Sequence, residues 1–193
     1  AAFTGRRGRY QGLDASVESI ETCNACIAPG LEGFRFQVAD VFNTHYRPAA
    51  DQPAATYRFP FPDASFDFVF SNSLFTHLVP HDLENYLAEI GRVLVPGGRT
   101  LNTIFLLNAE ALRGMEAGRS RQELPHELPG GIARVKRLDR PEAVIAFDEE
   151  FARDAHAAAG LAIEEPVRYG SWSGRDRSGP GFGNKDIVVA VRE

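Results

Sequence analysis

Two aspartates have the placement of a nucleoside grip. Tyr10-Gln-Gly-Leu-Asp14 reads as a short strand ending in an acid, and Phe34-Arg-Phe-Gln-Val-Ala-Asp40 repeats the pattern one helix later. A carboxylate where a parallel strand stops and a helix begins can accept two hydrogen bonds from the vicinal hydroxyls of a ribose. At Asp14 a helix-capping aspartate with no ligand fits equally well. An acid at Asp40 can accept from an exocyclic amine while apolar neighbours cover an aromatic ring; taken alone it reads better as a solvated loop acid. Two such acids on consecutive strand ends favour the ligand. A third strand, Phe66-Asp-Phe-Val-Phe70, gives way to Ser71 and Asn72, polar groups at the same end of the sheet.

The elements that must position these groups follow from periodicity. Ser16 caps a helix in which Val17, Ile20, Cys23 and Ile27 recur at helical spacing, and Pro29-Gly30 ends it. Residues 43–64 hold Pro48, Pro53, Pro60 and Pro62 and read as loop. Pro80 opens a helix with Leu83, Tyr86, Leu87, Ile90 and Leu94 on one face, stopped by Pro96-Gly97-Gly98. Thr100 to Leu107 is an apolar strand, buried on both faces by its pattern. Residues 108–146 are polar and charged, with a possible helix from Ala109 to Gly118, and read as an insertion on the substrate side. Asp148 caps a helix ending near Gly160, Ile163 to Tyr169 is a strand, residues 170–185 form a loop, and Asp186 to Val191 is the last strand. Strands alternating with helices predict an α/β fold with a mostly parallel sheet, closed by a C-terminal antiparallel hairpin.

The chain has 193 residues, 44% of them apolar and 24% charged, enough for one domain with a core. The net charge of −5 argues against broad binding to nucleic acid or anionic membrane. No apolar run approaches the roughly 20 residues that span a bilayer. Two cysteines, Cys23 and Cys26, suggest a reducing, cytoplasmic setting. As a lone CxxC inside a helix they are expected to be buried small residues rather than a zinc or redox pair.

The segment Phe61-Pro-Asp-Ala-Ser-Phe-Asp-Phe-Val-Phe-Ser-Asn-Ser73, followed by Glu89-Ile-Gly-Arg-Val-Leu-Val-Pro-Gly-Gly98, resembles the class I S-adenosylmethionine-dependent methyltransferases. The first piece is similar to their "LPFPDGSFDVV" strand and the second to their "EIxRVLKPGG" helix and turn. With the two aspartates, the resemblance spans residues 1–193 as a single domain with a Rossmann-like sheet. It implies S-adenosyl-L-methionine as cofactor and a small-molecule methyl acceptor as partner. It implies that Asp14, with Ala15 beside it, holds the ribose hydroxyls. Asp40 and Val41 would contact the adenine, and Ser71 and Asn72 would lie beside the methionine part. Phe75, Thr76 and His77 would follow at the mouth of the site.

The family's first strand and glycine-rich loop would precede Tyr10. Only Ala1 to Arg9 stand there, and Gly5 and Gly8 do not match that loop, so the first strand is expected to be missing. His77 is the candidate general base for a hydroxyl or protonated amine acceptor; a helix histidine facing water fits the sequence as well. Trp172, Arg175 and Arg177 either frame a substrate pocket or lie in a solvated hairpin loop. Two other readings stay open: a non-catalytic protein of this fold acting through a partner, and, more distantly, a dinucleotide-dependent oxidoreductase. No tyrosine has a lysine four residues later, which disfavours the second. The sequence carries no signal of oligomeric state.

Overall fold

The computed structural model describes residues 8–44, 46–175 and 184–193. The chain divides into two compact units, Ala1–Phe59 and Pro60–Glu193.

In the first unit, β1 (Tyr10–Asp14) and β2 (Phe34–Val38) pair in parallel across α1 (Val17–Cys26). Ser16 caps α1 as expected, its hydroxyl accepting the Ser19 N–H at 3.2 Å. Gly12 makes the strand pair possible at its middle: a Cβ there would stand 2.5 Å from the Phe36 ring. The space goes to an aromatic cluster in which Tyr10 and Phe34 stack with centroids 5.1 Å apart. Buried apolar residues are few, among them Ile20, Ala39, Val41, Tyr57 and Phe59. Of the cysteines expected to be buried, Cys26 is exposed and Cys23 half-buried, both as free thiols. The cause is that α1 buries little more than Ile20, so its other faces meet water.

The second unit holds the larger core. β3 (Phe66–Ser71) runs parallel to β4 (Leu94–Ile104); β10 (Asp186–Arg192) is antiparallel to both β4 and β9 (Leu161–Ile163), giving the order β3-β4-β10-β9. α2 (Pro80–Val93) buries Leu83, Tyr86, Leu87, Ile90 and Val93. It comes so close to the chain after α4 (Glu149–Ala158) that a Cβ on Gly91 would meet the Ala159 carbonyl at 2.3 Å. Asp148 caps α4 as expected, accepting from the N–H groups of Glu150 and Phe151.

Pro96-Gly97-Gly98 does not separate helix from strand as expected. β4 starts at Leu94 and passes through these residues, with Gly97 at φ +76° and the register with β3 shifting between Phe66 and Phe68. The predicted strand over 163–169 is instead the shorter β9, which starts at Leu161. Pro166 has no N–H to give a ladder, and Arg168 rejoins β10 only through a bridge to Ile187. The closing strands are antiparallel, as expected.

Residues 108–146 are more structured than the sequence suggested. They hold α3 (Ala109–Glu116), β6 (His126–Glu127) and β7 (Ala133–Val135). These strands build a second sheet, β5-β8-β7-β6, from β5 (Leu106–Leu107) and β8 (Ile145–Asp148). Three strand pairings are parallel and four antiparallel among the described residues, so the sheets are mixed within an α/β fold. Among the described residues no helix is long and apolar enough to cross a membrane.

Candidate functional site

Parallel strands gather ligands beyond their carboxyl ends. In the first unit both predicted acids stand there. Asp14 ends β1, exposed, with one carboxylate oxygen accepting the Ser16 N–H at 2.8 Å. Its other oxygen has no partner among the described residues, so it keeps the acceptor that a ribose diol needs. Ala15 is half-buried beside it. The backbone ties the two strand ends together, since the Ala39 N–H donates to the Asp14 carbonyl at 2.8 Å.

Asp40 follows β2, flanked by buried Ala39 and Val41, as an adenine site would require. Its carboxylate already holds the Arg47 guanidinium at 2.5 Å. Each of the two acids therefore keeps one carboxylate oxygen that has no partner among the described residues. Tyr57 lies close by, and burial pushes its hydroxyl above the ordinary tyrosine pKa, with the Asp40 charge adding to the rise.

In the second unit, Ser71 is buried at the end of β3 and Asn72 is exposed. Ser73 follows with φ +60°, a left-handed conformation that non-glycine residues seldom adopt. Its N–H donates to the Thr103 hydroxyl at 2.7 Å, which locks the turn onto β4. His77 closes a 3₁₀ turn, Phe75–His77, and is exposed. Its Nδ1 lies 3.0 Å from the Glu142 carbonyl oxygen. A carbonyl can only accept, so in the neutral imidazole Nδ1 is the nitrogen that carries the hydrogen. That tautomer is the one a general base needs.

The three residues assigned to substrate are all buried. Phe75 is 1% exposed, Trp172 0% and Arg175 6%. Trp172 and Arg175 do not lie in a solvated hairpin loop: both are buried, and the indole N–H and both terminal guanidinium nitrogens find partners inside the unit, while Arg175 Nε has none among the described residues. The Trp172 Nε1–H donates to Asp186 at 2.7 Å, and the indole packs on Phe105 with centroids 4.9 Å apart. Arg175 donates to Asp186, to Asn108 Oδ1 and to the Leu106 carbonyl, and stands 4.4 Å from the Tyr169 ring centroid. Arg177 and Gly5 lie outside the described residues.

Sequence reasoning missed Asp186 itself. Its carboxylate accepts the N–H groups of Leu106 and Gly170 at 2.7 Å each, besides Trp172 and Arg175. Burial pushes its pKa up, while Arg175 and the N–H donors oppose the rise. The available signal was an acid opening the apolar run Ile187 to Val191. His156 was missed too. It is buried, with Nδ1 2.7 Å from the Ala152 carbonyl, and burial lowers its pKa.

With this geometry in hand, the chain can be set beside known proteins. The sequence model described as "Methyltransferase domain" matches residues 1–101. A SAM-dependent methyltransferase from Methanosarcina mazei superposes with a TM-score of 0.58 at 20% identity, over 94% of this chain and 81% of that one. A Haloferax volcanii protein described as a methyltransferase, in complex with the Trm112 methyltransferase activator, gives 0.57 at 20% identity, over 98% and 73%. A TehB-like SAM-dependent methyltransferase from Corynebacterium glutamicum gives 0.51 at 14% identity, over 96% and 68%. These likenesses agree on the Rossmann-like fold that the strand ends of both units display. The chain belongs to the methyltransferase domain family.

Proposed function

We propose that this protein methylates a small-molecule acceptor by in-line displacement, with residues 1–193 acting as one domain and 108–146 as its substrate-side insertion. When bound, S-adenosyl-L-methionine supplies an electrophilic methyl group on a sulfonium sulfur. Asp14, supported by Ala15, accepts from the ribose hydroxyls. Asp40 accepts from the adenine amine over the apolar surface of Val41. Ser71 and Asn72 border the methionine part. His77 takes the acceptor's proton on Nε2, held in the required tautomer by the Glu142 carbonyl. Alignment of nucleophile and methyl carbon accounts for much of such a rate enhancement, with oriented reactions gaining up to about 7–11 kcal/mol.

The observation that carries this reading is the exposed Asp14 carboxylate, which keeps one oxygen uncommitted where β1 ends. Calorimetric titration with S-adenosylhomocysteine tests it. Saturable binding that Asp14→Asn weakens is expected; no binding to the wild-type protein would end the proposal. A cytoplasmic setting belongs to the same reading and is supported by the free thiols of Cys23 and Cys26.

A second reading has one observation in its favour. β3 pairs only with β4 among the described residues, and it exposes Phe68 and Phe70. A partner protein covering such an edge is a familiar arrangement, and the Haloferax volcanii neighbour is itself held by an activator. Sedimentation velocity separates a monomer from a chain that needs company.

A further inference from the structure

Lys185 stands immediately before β10, yet its side chain reaches the end of β3, two strands away. Nζ donates to the Ser73 hydroxyl at 2.7 Å. That neutral hydroxyl is its one hydrogen-bond partner among the described residues, none of which sets a carboxylate against the ammonium.

Proton bookkeeping around Ser73 shows what this corner lacks. The Thr103 hydroxyl accepts the Ser73 N–H, so its own hydrogen turns to the Ser71 carbonyl or to Asn72 Oδ1, each 3.4 Å away. The Ser73 hydroxyl accepts from Lys185, so its hydrogen faces Asn72 Oδ1 at 3.5 Å. The Asn72 carbonyl oxygen thus takes the Ser73 hydroxyl and lies within reach of the Thr103 hydroxyl, and the NH₂ of the exposed Asn72 donates to no described residue. What is left is donors: the remaining ammonium hydrogens and an amide NH₂.

The backbone that carries Lys185 is fixed on both sides. A Cβ on Gly170 would stand 2.1 Å from the Asn184 carbonyl oxygen and 2.4 Å from that of Lys185, so only glycine admits the approach. The Asn184 carbonyl accepts the Trp172 N–H at 3.0 Å. On the other side, Asp186 is buried among Leu106, Gly170, Trp172 and Arg175. The buried network that sequence reading missed thus anchors the base of a half-buried cation.

A fixed ammonium beside an amide donor, with the nearby side-chain acceptors already spent, matches a planar oxyanion. We propose that Lys185 and Asn72 form a carboxylate-binding corner, and that the carboxylate belongs to the methyl acceptor. This rests on the methyl-transfer reading above and adds a substrate class to it: small acceptors bearing an acid group. His77, four residues beyond Ser73, lies on the same stretch of chain and supplies the base.

The test uses the full chain, labelled with ¹⁵N, and acetate as the probe with acetamide as its neutral control. Each is titrated with and without saturating S-adenosylhomocysteine while the Asn72 side-chain amide signals are followed. A saturable shift with acetate and none with acetamide is expected, in both conditions. Lys185→Met should weaken the acetate response at least fivefold and Lys185→Arg should keep it. Lys185→Gln, which retains a donor for Ser73, serves if the methionine variant melts early. No saturable acetate shift, or an equal one in Lys185→Met and Lys185→Gln, overturns the corner. Loss of the acetate response when S-adenosylhomocysteine binds overturns the acceptor assignment, because the cofactor's own carboxylate then fills the site. An acetate response in a protein that binds no S-adenosylhomocysteine overturns the acceptor assignment through the failure of methyl transfer itself.

Discussion

The two units carry their polar strand ends in opposite ways. In Ala1–Phe59, Asp14 and Asp40 sit exposed beside a two-stranded sheet with a thin core, and among the described residues each carboxylate has at most one side-chain partner. In Pro60–Glu193, the turn after β3 is locked by Thr103, Asn72 and Lys185 over a dense core. A two-stranded sheet is marginal by itself, whereas a turn hydrogen-bonded onto a neighbouring strand over a larger core is held in one geometry. The difference teaches where adjustment is possible: the first unit holds its acids by few contacts and can rearrange around a ligand, while the second presents its groups already set.

Mutations should separate the units by size of effect. Asp186→Ala leaves Arg175 buried without its counter-charge and should cost about 3–5 kcal/mol in urea unfolding. Leu87→Ala, at a wholly buried site on α2, should cost about 2–5 kcal/mol, against about 0.5 kcal/mol or less for Val17→Ala on exposed α1. Equal losses at the two helices would erase the contrast. Asp14→Asn should weaken S-adenosylhomocysteine about tenfold by calorimetry, close to 1.4 kcal/mol, with an unchanged melting temperature. Arg47→Ala should tighten the same ligand by about threefold by removing a competitor for Asp40; weaker binding would mean that Arg47 itself serves the ligand.

The smallest effect is the pH response of the second unit. Burial lowers the His156 pKa, so the folded protein refuses a proton that the unfolded chain accepts. The contribution is present above the ordinary histidine range and lost as pH falls below it. Unfolding free energy should therefore drop between pH 7.5 and 5.5, and His156→Gln should flatten that drop. Glu149 adds a second loss at lower pH. Burial alone would raise its pKa, but hydrogen bonds from Tyr169, Arg153 and Asn108 outweigh that and hold it below the usual carboxylate range.

Much of this was legible in the chain. Ser16 and Asp148 announce their helices because capping is local chemistry, and the acids at Asp14 and Asp40 end strands whose alternation is visible. What stayed hidden depends on distant partners. β4 runs through Pro96-Gly97-Gly98 because β3 pairs alongside it, which no local rule reports. β6 and β7 are too short to show a period and exist by pairing in series onto β8. Trp172 and Arg175 looked like loop residues beside five glycines, yet Asp186, more than ten positions later, draws both inside. Lys185 had no motif at all, since its meaning lies in a contact 112 residues back along the chain.

Phe68 and Phe70 remain. At 52% and 49% exposure they leave two benzyl rings half bare on one side of a strand whose outer flank has no ladder among the described residues. Such a seam is adhesive toward like seams. Shelf life at high concentration should thus be governed by how fast molecules stick through native surfaces, so that Phe68→Lys would keep solutions clear longer without raising the temperature at which they melt.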